Sequence, residues 1–151
     1  MGQQRGLDYS GKVVLVTGGT KGIGAGIARG FLEAGAQVIV CARNAPEQLP
    51  ASAGREALFF PVDVRDGESL QGLFDSIQRD FGRLDVLVNN AGGAPAAEAA
   101  TASPRFHESI IRLNLIAPLN VAQQSNRLMQ AQEEGGCLSL IHISEPTRQE
   151  A

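Results

Sequence analysis

Val13-Val14-Leu15-Val16-Thr17-Gly18-Gly19-Thr20-Lys21-Gly22-Ile23-Gly24 is the stretch that decides the fold. Its first five residues form a short, β-branched apolar run, which reads as a fully buried strand. Glycines follow at once. A helical pattern then spans about residues 22–34, where Ile23, Ile27 and Phe31 recur every four residues on one face, and Gly35 stops it. Strand, glycine loop and helix in that order make a first βα unit. Gly18 permits the tight turn, Gly22 lets backbone approach a pyrophosphate, and Gly24 lets the helix pack close to the strand. The helix start offers free N–H groups to anionic oxygens. A glycine triplet alone also marks plain turns; the strand-to-helix context is what points to a dinucleotide. A phosphate loop of the ATPase kind does not fit, because Lys21 is followed by Gly22 rather than Ser or Thr.

Working outward, residues 1–11 read as a loose arm and 36–42 (AQVIVCA) as the second strand. Residues 43–56 are polar and contain Pro46, Pro50 and Gly54, so the second crossover is irregular or carries only a short helix. Residues 57–64 (ALFFPVDV) give a third strand. Asp66 then caps a helix whose apolar face is Leu70, Leu73, Phe74, Ile77 and Phe81. A fourth strand runs into Asn89-Asn90-Ala91-Gly92-Gly93. One long helix follows over about 104–132, with Ile110, Leu113, Ala117, Val121 and Leu128 as inner positions and Pro118 as a local cost. A fifth strand begins near Cys137. Continuous apolar strands between helices predict a doubly wound, Rossmann-like parallel α/β sheet, cut short after about the fifth strand.

The 151 residues, 43% hydrophobic and 19% charged, suit one domain. Thirteen basic side chains against sixteen acidic ones leave no basic patch for a nucleic-acid backbone. Apolar runs are of strand length, so neither a membrane span nor a signal core is expected. Cys41 and Cys137 make no disulfide framework, which predicts a reducing, cytoplasmic setting. Two histidines without a carboxylate or cysteine cluster predict no metal site, and His107 reads as a surface residue.

The end of the second strand bears on which dinucleotide binds. An NAD site usually places Asp or Glu there for the ribose 2′-OH. Here Val40-Cys41-Ala42 lead to Arg43, whose five donors and fixed charge suit a 2′-phosphate, with Lys21 in reach of the same region. NADP(H) is therefore preferred and NAD(H) possible. Asp63 either accepts from the adenine amino group or makes an Asx turn after its strand. Asn90 stiffens its turn through backbone bonds, and Gly92 and Gly93 allow close approach to a ribose. Asn114 is a costly residue for mid-helix, which marks a site or a simple inward hydrogen bond.

Together these motifs resemble the short-chain dehydrogenase/reductase family, in its compact branch. The resemblance covers about residues 10–136. It rests on residues 17–24 (TGGTKGIG), Asp63-Val64, Asn89-Asn90-Ala91-Gly92 and Asn114, in the family's order and at about its spacing. It implies that Gly18, Thr20, Lys21, Gly22, Ile23 and Gly24 hold the pyrophosphate region. It further implies that Asp63 and Val64 meet adenine, and that Asn90, Ala91 and Gly92 border the cofactor. A basic pair like Lys21 and Arg43 marks the NADP(H)-preferring members. An Asn in the place of Asn114 supports a proton relay to the catalytic Lys. The implied reaction moves a hydride between nicotinamide and a carbonyl or alcohol carbon. The implied assembly is a homodimer or homotetramer, with the helix around 106–131 resembling one that packs on a partner subunit.

The departures are large. The family's Tyr-x-x-x-Lys lies beyond the fifth strand, where this sequence ends, and the only Tyr is Tyr9. The chain therefore reads as the N-terminal cofactor-binding fragment of such an enzyme, itself inactive. The alternative is a non-catalytic dinucleotide-binding or regulatory module. Residues 138–148 (LSLIHISEPTR) match a translated reading frame of a sequencing-library adapter, which makes 137–151 a non-native scar after a domain spanning 12–136. The rival is a genuine fifth strand, and on either view His142 and Ser144 are not catalytic.

Overall fold

The computed structural model describes residues 6–98 and 100–141. The glycine stretch forms β1 (Val13–Thr17) and α1 (Gly22–Glu33). β2 (Gln37–Ala42) follows. A short hairpin of β3 (Ala51–Ser52) and β4 (Arg55–Glu56) leads to β5 (Leu58–Pro61). Then come α2 (Gly67–Phe81), β6 (Val86–Asn89), α3 (Pro104–Ile111), α4 (Ala117–Gln130) and β7 (Cys137–Leu140). Five strands make one parallel sheet in the order β5-β2-β1-β6-β7, with β1 at its centre. The chain reverses direction across the sheet between β1 and β6, the place where such folds leave a crevice at the strands' carboxyl ends.

Strand alternation divides the core into two layers. Val14, Val16, Val38, Val40, Val86 and Val88 pack with Ala28 and Leu32 of α1. Val13, Leu15, Ile39, Cys41 and Leu87 pack with Leu70, Leu73, Phe74 and Ile77 of α2 and with Ala117, Val121 and Met129 of α4. α2 starts as predicted, with the Asp66 side chain accepting from the Glu68 amide at 3.3 Å.

Three expectations change, and of the two readings open for the second crossover the irregular one holds. In α1 the buried stripe is Ala25, Ala28 and Leu32, while Ile23 is 57% exposed and Ile27 and Phe31 lie at the edge of the core. Small residues win the inward positions of its first turns, where α1 starts against the Gly18 carbonyl and Asn90. The second crossover holds no helix but the β3–β4 hairpin, whose central residues Ala53 and Gly54 both have positive φ (52° and 73°), as a type I′ turn requires. The single long helix is interrupted by a π-helical turn at Arg112–Ile116, where the Ala117 amide reaches back to the Arg112 carbonyl. This turn sits directly before Pro118, which has no amide to give the ladder. Beyond it Ser125 and Met129, rather than Leu128, complete the buried face. The arm is also anchored where described. The Tyr9 amide donates to the Ala34 carbonyl at 2.7 Å, and its ring stands edge-on to Phe31 at 5.1 Å.

At the far edge, β7 pairs in parallel register with β6, from Val86 opposite Cys137 to Asn89 opposite Leu140. The segment matching an adapter thus takes the fifth-strand place as far as Leu140. Ladder bonds come from backbone, so an apolar tetrapeptide of any origin can extend a sheet. His142 and Ser144 lie outside the described residues.

Candidate functional site

The loops at the carboxyl ends of β1, β2, β5 and β6 meet around the start of α1. No side chain caps α1, and the Ala25 amide is the one that returns to the Lys21 carbonyl, so the amides of Gly22, Ile23 and Gly24 precede the ladder. They border a cavity of about 560 Å³ that also touches Gly18, Arg43, Asp63, Val64, Asn90, Ala91 and Gly92. Lys21, Thr20 and Arg43 share an adjoining depression of about 610 Å³. Of the residues singled out in the sequence for the cofactor, all but Gly93 lie on one of two contiguous hollows. Asn114 lines a third, of about 320 Å³, together with Asn90 and Gly92.

Close packing shapes this floor. A Cβ on Gly24 would collide with the Gly18 carbonyl oxygen and come within 2.5 Å of the Asn90 Nδ2. Gly18 has φ 63°, and a Cβ there would stand 3.1 Å from the Ala91 Cα. Gly19, given no role above, is equally constrained: its Cβ would meet Val40 Cγ1 at 2.5 Å. Gly22 faces open space, as backbone that must admit a ligand does.

Asn90 ties β6 to the glycine loop. Its Nδ2 donates to the Thr17 carbonyl at 3.0 Å and to the Gly18 carbonyl at 3.2 Å. Thr17 answers: its Oγ1 accepts from the amides of Asn90 (3.0 Å) and Ala91 (2.9 Å). Thr17 was missed as a knot; the signal was a hydroxyl at the end of an otherwise apolar buried strand. Asn89 donates to the Pro118 carbonyl at 2.7 Å, fixing α4 to the same turn. In the π-helical turn, the Asn114 Oδ1 accepts from the Gly93 amide and its Nδ2 donates to the Gly93 carbonyl, both at 2.9 Å, with a further bond to the Ile110 carbonyl at 3.0 Å. The inward hydrogen bond weighed for Asn114 is thus present, and it is aimed at the glycine turn.

Asp63 makes its Asx turn, accepting from the Arg65 amide at 3.0 Å, and is also gripped by the Arg65 guanidinium at 2.9 and 2.7 Å. Those Arg65 hydrogen bonds, with the Arg43 charge adding to them, hold Asp63 below the ordinary carboxylate range. Burial pushes the Cys41 thiol, fully enclosed in the core, up to about 12, so it is an inert thiol rather than a nucleophile. Among the described residues no group of three or more His, Cys, Asp or Glu is placed to hold a metal ion, and no helix is long and apolar enough to cross a membrane.

A family model described as short chain dehydrogenase matches residues 12–144. The chain belongs to the short-chain dehydrogenase family. It is 41% identical over 119 residues to L-fucose dehydrogenase of Bos taurus, a match covering 74% of this chain and 42% of that protein. Among solved structures, a short-chain type dehydrogenase/reductase from Mycobacterium marinum superposes with a TM-score of 0.82 at 31% identity, over 93% of this chain and 59% of that one. L-sorbose reductase from Gluconobacter frateurii, solved with NADPH and L-sorbose, gives a TM-score of 0.74 at 31% identity, over 83% of this chain and 50% of that one. The chain therefore spans about half the length of these relatives. The Rossmann-like parallel sheet is common to the family.

Proposed function

We propose that this chain is the cofactor-binding part of an NADP(H)-dependent short-chain oxidoreductase acting on a small carbonyl or alcohol substrate. The observation that carries the reading is the floor of the cavity: an uncapped helix N-terminus beside Lys21 and Arg43. Helix amides and their dipole favour a pyrophosphate, and the two cations favour a 2′-phosphate over a ribose hydroxyl. The residues fit the group, since Gly18 and Gly24 leave no space for side chains where backbone turns and packs, and Gly22 leaves its own space open. Asp63 and Val64 flank the adenine end, and Asn90, Ala91 and Gly92 the ribose end. Asn114 steadies Gly93 beside them. When bound, the nicotinamide supplies or accepts the hydride.

Chemistry also requires a proton donor beside the substrate oxygen. Tyr9, the only tyrosine, lies in a separate groove with Phe31, Lys12 and Gly136. We read these 151 residues as binding the cofactor while turnover stays at background. A second copy of the chain is the proposed partner, through the exposed apolar row Ile111, Leu115, Ile116 and Leu119. The setting is proposed as cytoplasmic, in keeping with the free thiols of Cys41 and Cys137.

Fluorescence titration with NADPH and NADH tests the cofactor reading. NADPH should bind more tightly. Arg43→Ala should weaken NADPH about tenfold, the weight of one charge-assisted hydrogen bond, and leave NADH within about twofold. Equal affinities in the unaltered protein would overturn the preference.

A further inference from the structure

The Asp63 carboxylate is unusually committed for a group at the edge of a ligand cavity. An ionised carboxylate has about four lone-pair positions for donors. Oδ1 accepts from the Arg65 amide at 3.0 Å and from its Nε at 2.9 Å. Oδ2 accepts from Nη2 at 2.7 Å. One acceptor position remains, on Oδ2. The pair is only partly exposed, 28% for the Arg65 side chain and 32% for Asp63, and both line the cavity that begins at the α1 N-terminus. Arg65 also faces a neighbouring hollow of about 780 Å³, bordered by Arg105, Glu108 and Arg112 on and beside α3. Arg65 and Asp63 are thus shared by the cavity and that second hollow.

We propose that Arg65 is a positioning residue for adenine recognition: its fork fixes the Asp63 carboxylate and leaves it a single acceptor, matched to the one exocyclic amino group of an adenine. This rests on the cofactor reading above and adds to it the residue that sets purine selectivity. The chemistry follows from counting donors. Adenine brings a donor to the open lone pair on Oδ2. Hypoxanthine carries a carbonyl oxygen at the same ring position, and acceptor then meets acceptor. Without Arg65, Asp63 regains several open positions and rotamer freedom, so it can turn away from a carbonyl or recruit water. Lysine keeps a charge but lacks the planar fork, so it cannot hold both oxygens at once.

The test is calorimetric binding of 2′,5′-ADP and its inosine counterpart to the 151-residue protein and to Arg65→Ala and Arg65→Lys, with circular dichroism confirming equal helix content. The unaltered protein should prefer the adenine probe. Arg65→Ala should shrink that preference about fivefold, the weight of one modest hydrogen bond. Arg65→Lys should fall between, and carries the test alone if the alanine variant loses structure. A merely structural role would weaken both probes alike and keep their ratio. A ratio unchanged in both variants overturns this inference and leaves the cofactor reading standing. An unaltered protein that binds neither probe overturns both.

Discussion

Asp85 is a residue whose role only its surroundings reveal. It sits in a polar-looking Arg83-Leu84-Asp85 run, yet it is 7% exposed. One oxygen accepts from the Val13 amide at 2.8 Å, and the Arg83 guanidinium grips both at 2.8 and 2.6 Å. Lys12 stands 3.9 Å away and bonds Glu134 at 2.6 Å, which brings the α4–β7 connection into the same cluster. Burial opposes ionisation of Asp85, but the bonds from Arg83 and Val13 and the Lys12 charge outweigh it and hold the group below its ordinary range. A carboxylate so depressed stabilises the fold above its unfolded value, about 3.9, and that stability is lost as pH falls through the lower folded value. Asp85→Ala should cost about 2–3 kcal/mol at pH 7, because it strands a buried amide and a partly buried guanidinium. Urea unfolding at pH 7 and in steps down to about pH 3 reads both effects: Asp85→Asn should flatten the acid limb. An unchanged midpoint in the alanine variant would refute the assignment. The contrast with Arg43 is instructive. Arg43 stands out in the sequence because it lies at a strand end where an NAD site usually carries a carboxylate. Asp85 was not, because its value depends on a β1 amide 72 residues away in sequence.

At the scale of elements, the glycine stretch carries the most information. Its strand, turn and helix follow from local rules: a β-branched run, positive φ at Gly18, and a pattern of period 3.6. Which stripe of α1 goes inward does not. Ile23, Ile27 and Phe31 look like the core face, yet Ala25, Ala28 and Leu32 are buried. The reason is the same contact that makes Gly24 obligatory: α1 starts against the Gly18 carbonyl and Asn90, so only small side chains fit beneath its first turns. Gly24→Ala should therefore destabilise by about 1–3 kcal/mol through overpacking against backbone that cannot move aside. It should also weaken NADPH binding, since α1 and its free amides shift together. Gly26, whose Cβ would meet nothing within 4 Å, is the control, and Gly26→Ala should be neutral or slightly stabilising. Denaturant midpoints of the two variants decide the point; equal effects would sink it. The π-helical turn at Arg112–Ile116 was half legible: Asn114 and Pro118 each signal trouble for a helix, but the widening that accommodates them is a joint product of the proline and the Gly93 contact.

For the molecule as a whole, one surface stands out. Ile111, Leu115, Ile116 and Leu119 are each about half exposed along α3, the π-helical turn and α4, and nothing in the described chain covers them. Apolar surface of this kind is what the proposed contact with a second copy would bury. Leu115→Glu with Leu119→Glu should convert a self-associated species to monomer in sedimentation velocity, with the fold retained by circular dichroism; a monomeric unaltered protein would remove the basis for a second-copy partner. The sequence alone determined the order of the five sheet strands and their flanking helices, the parallel α/β class, and most of the residues that converge on the site, because those depend on local periodicity and on turns that only glycine makes. Tertiary structure alone decided the rest: the inward face of α1, the hairpin in the second crossover, the Asp85 clamp, the Thr17–Asn90 knot and the Arg65 grip on Asp63. Apart from the hairpin, the Arg65 grip and the Arg83 part of the Asp85 clamp, these are contacts between residues distant in the chain. Their energy appears only when packing excludes water from both partners at once, and single-residue pattern carries no record of that.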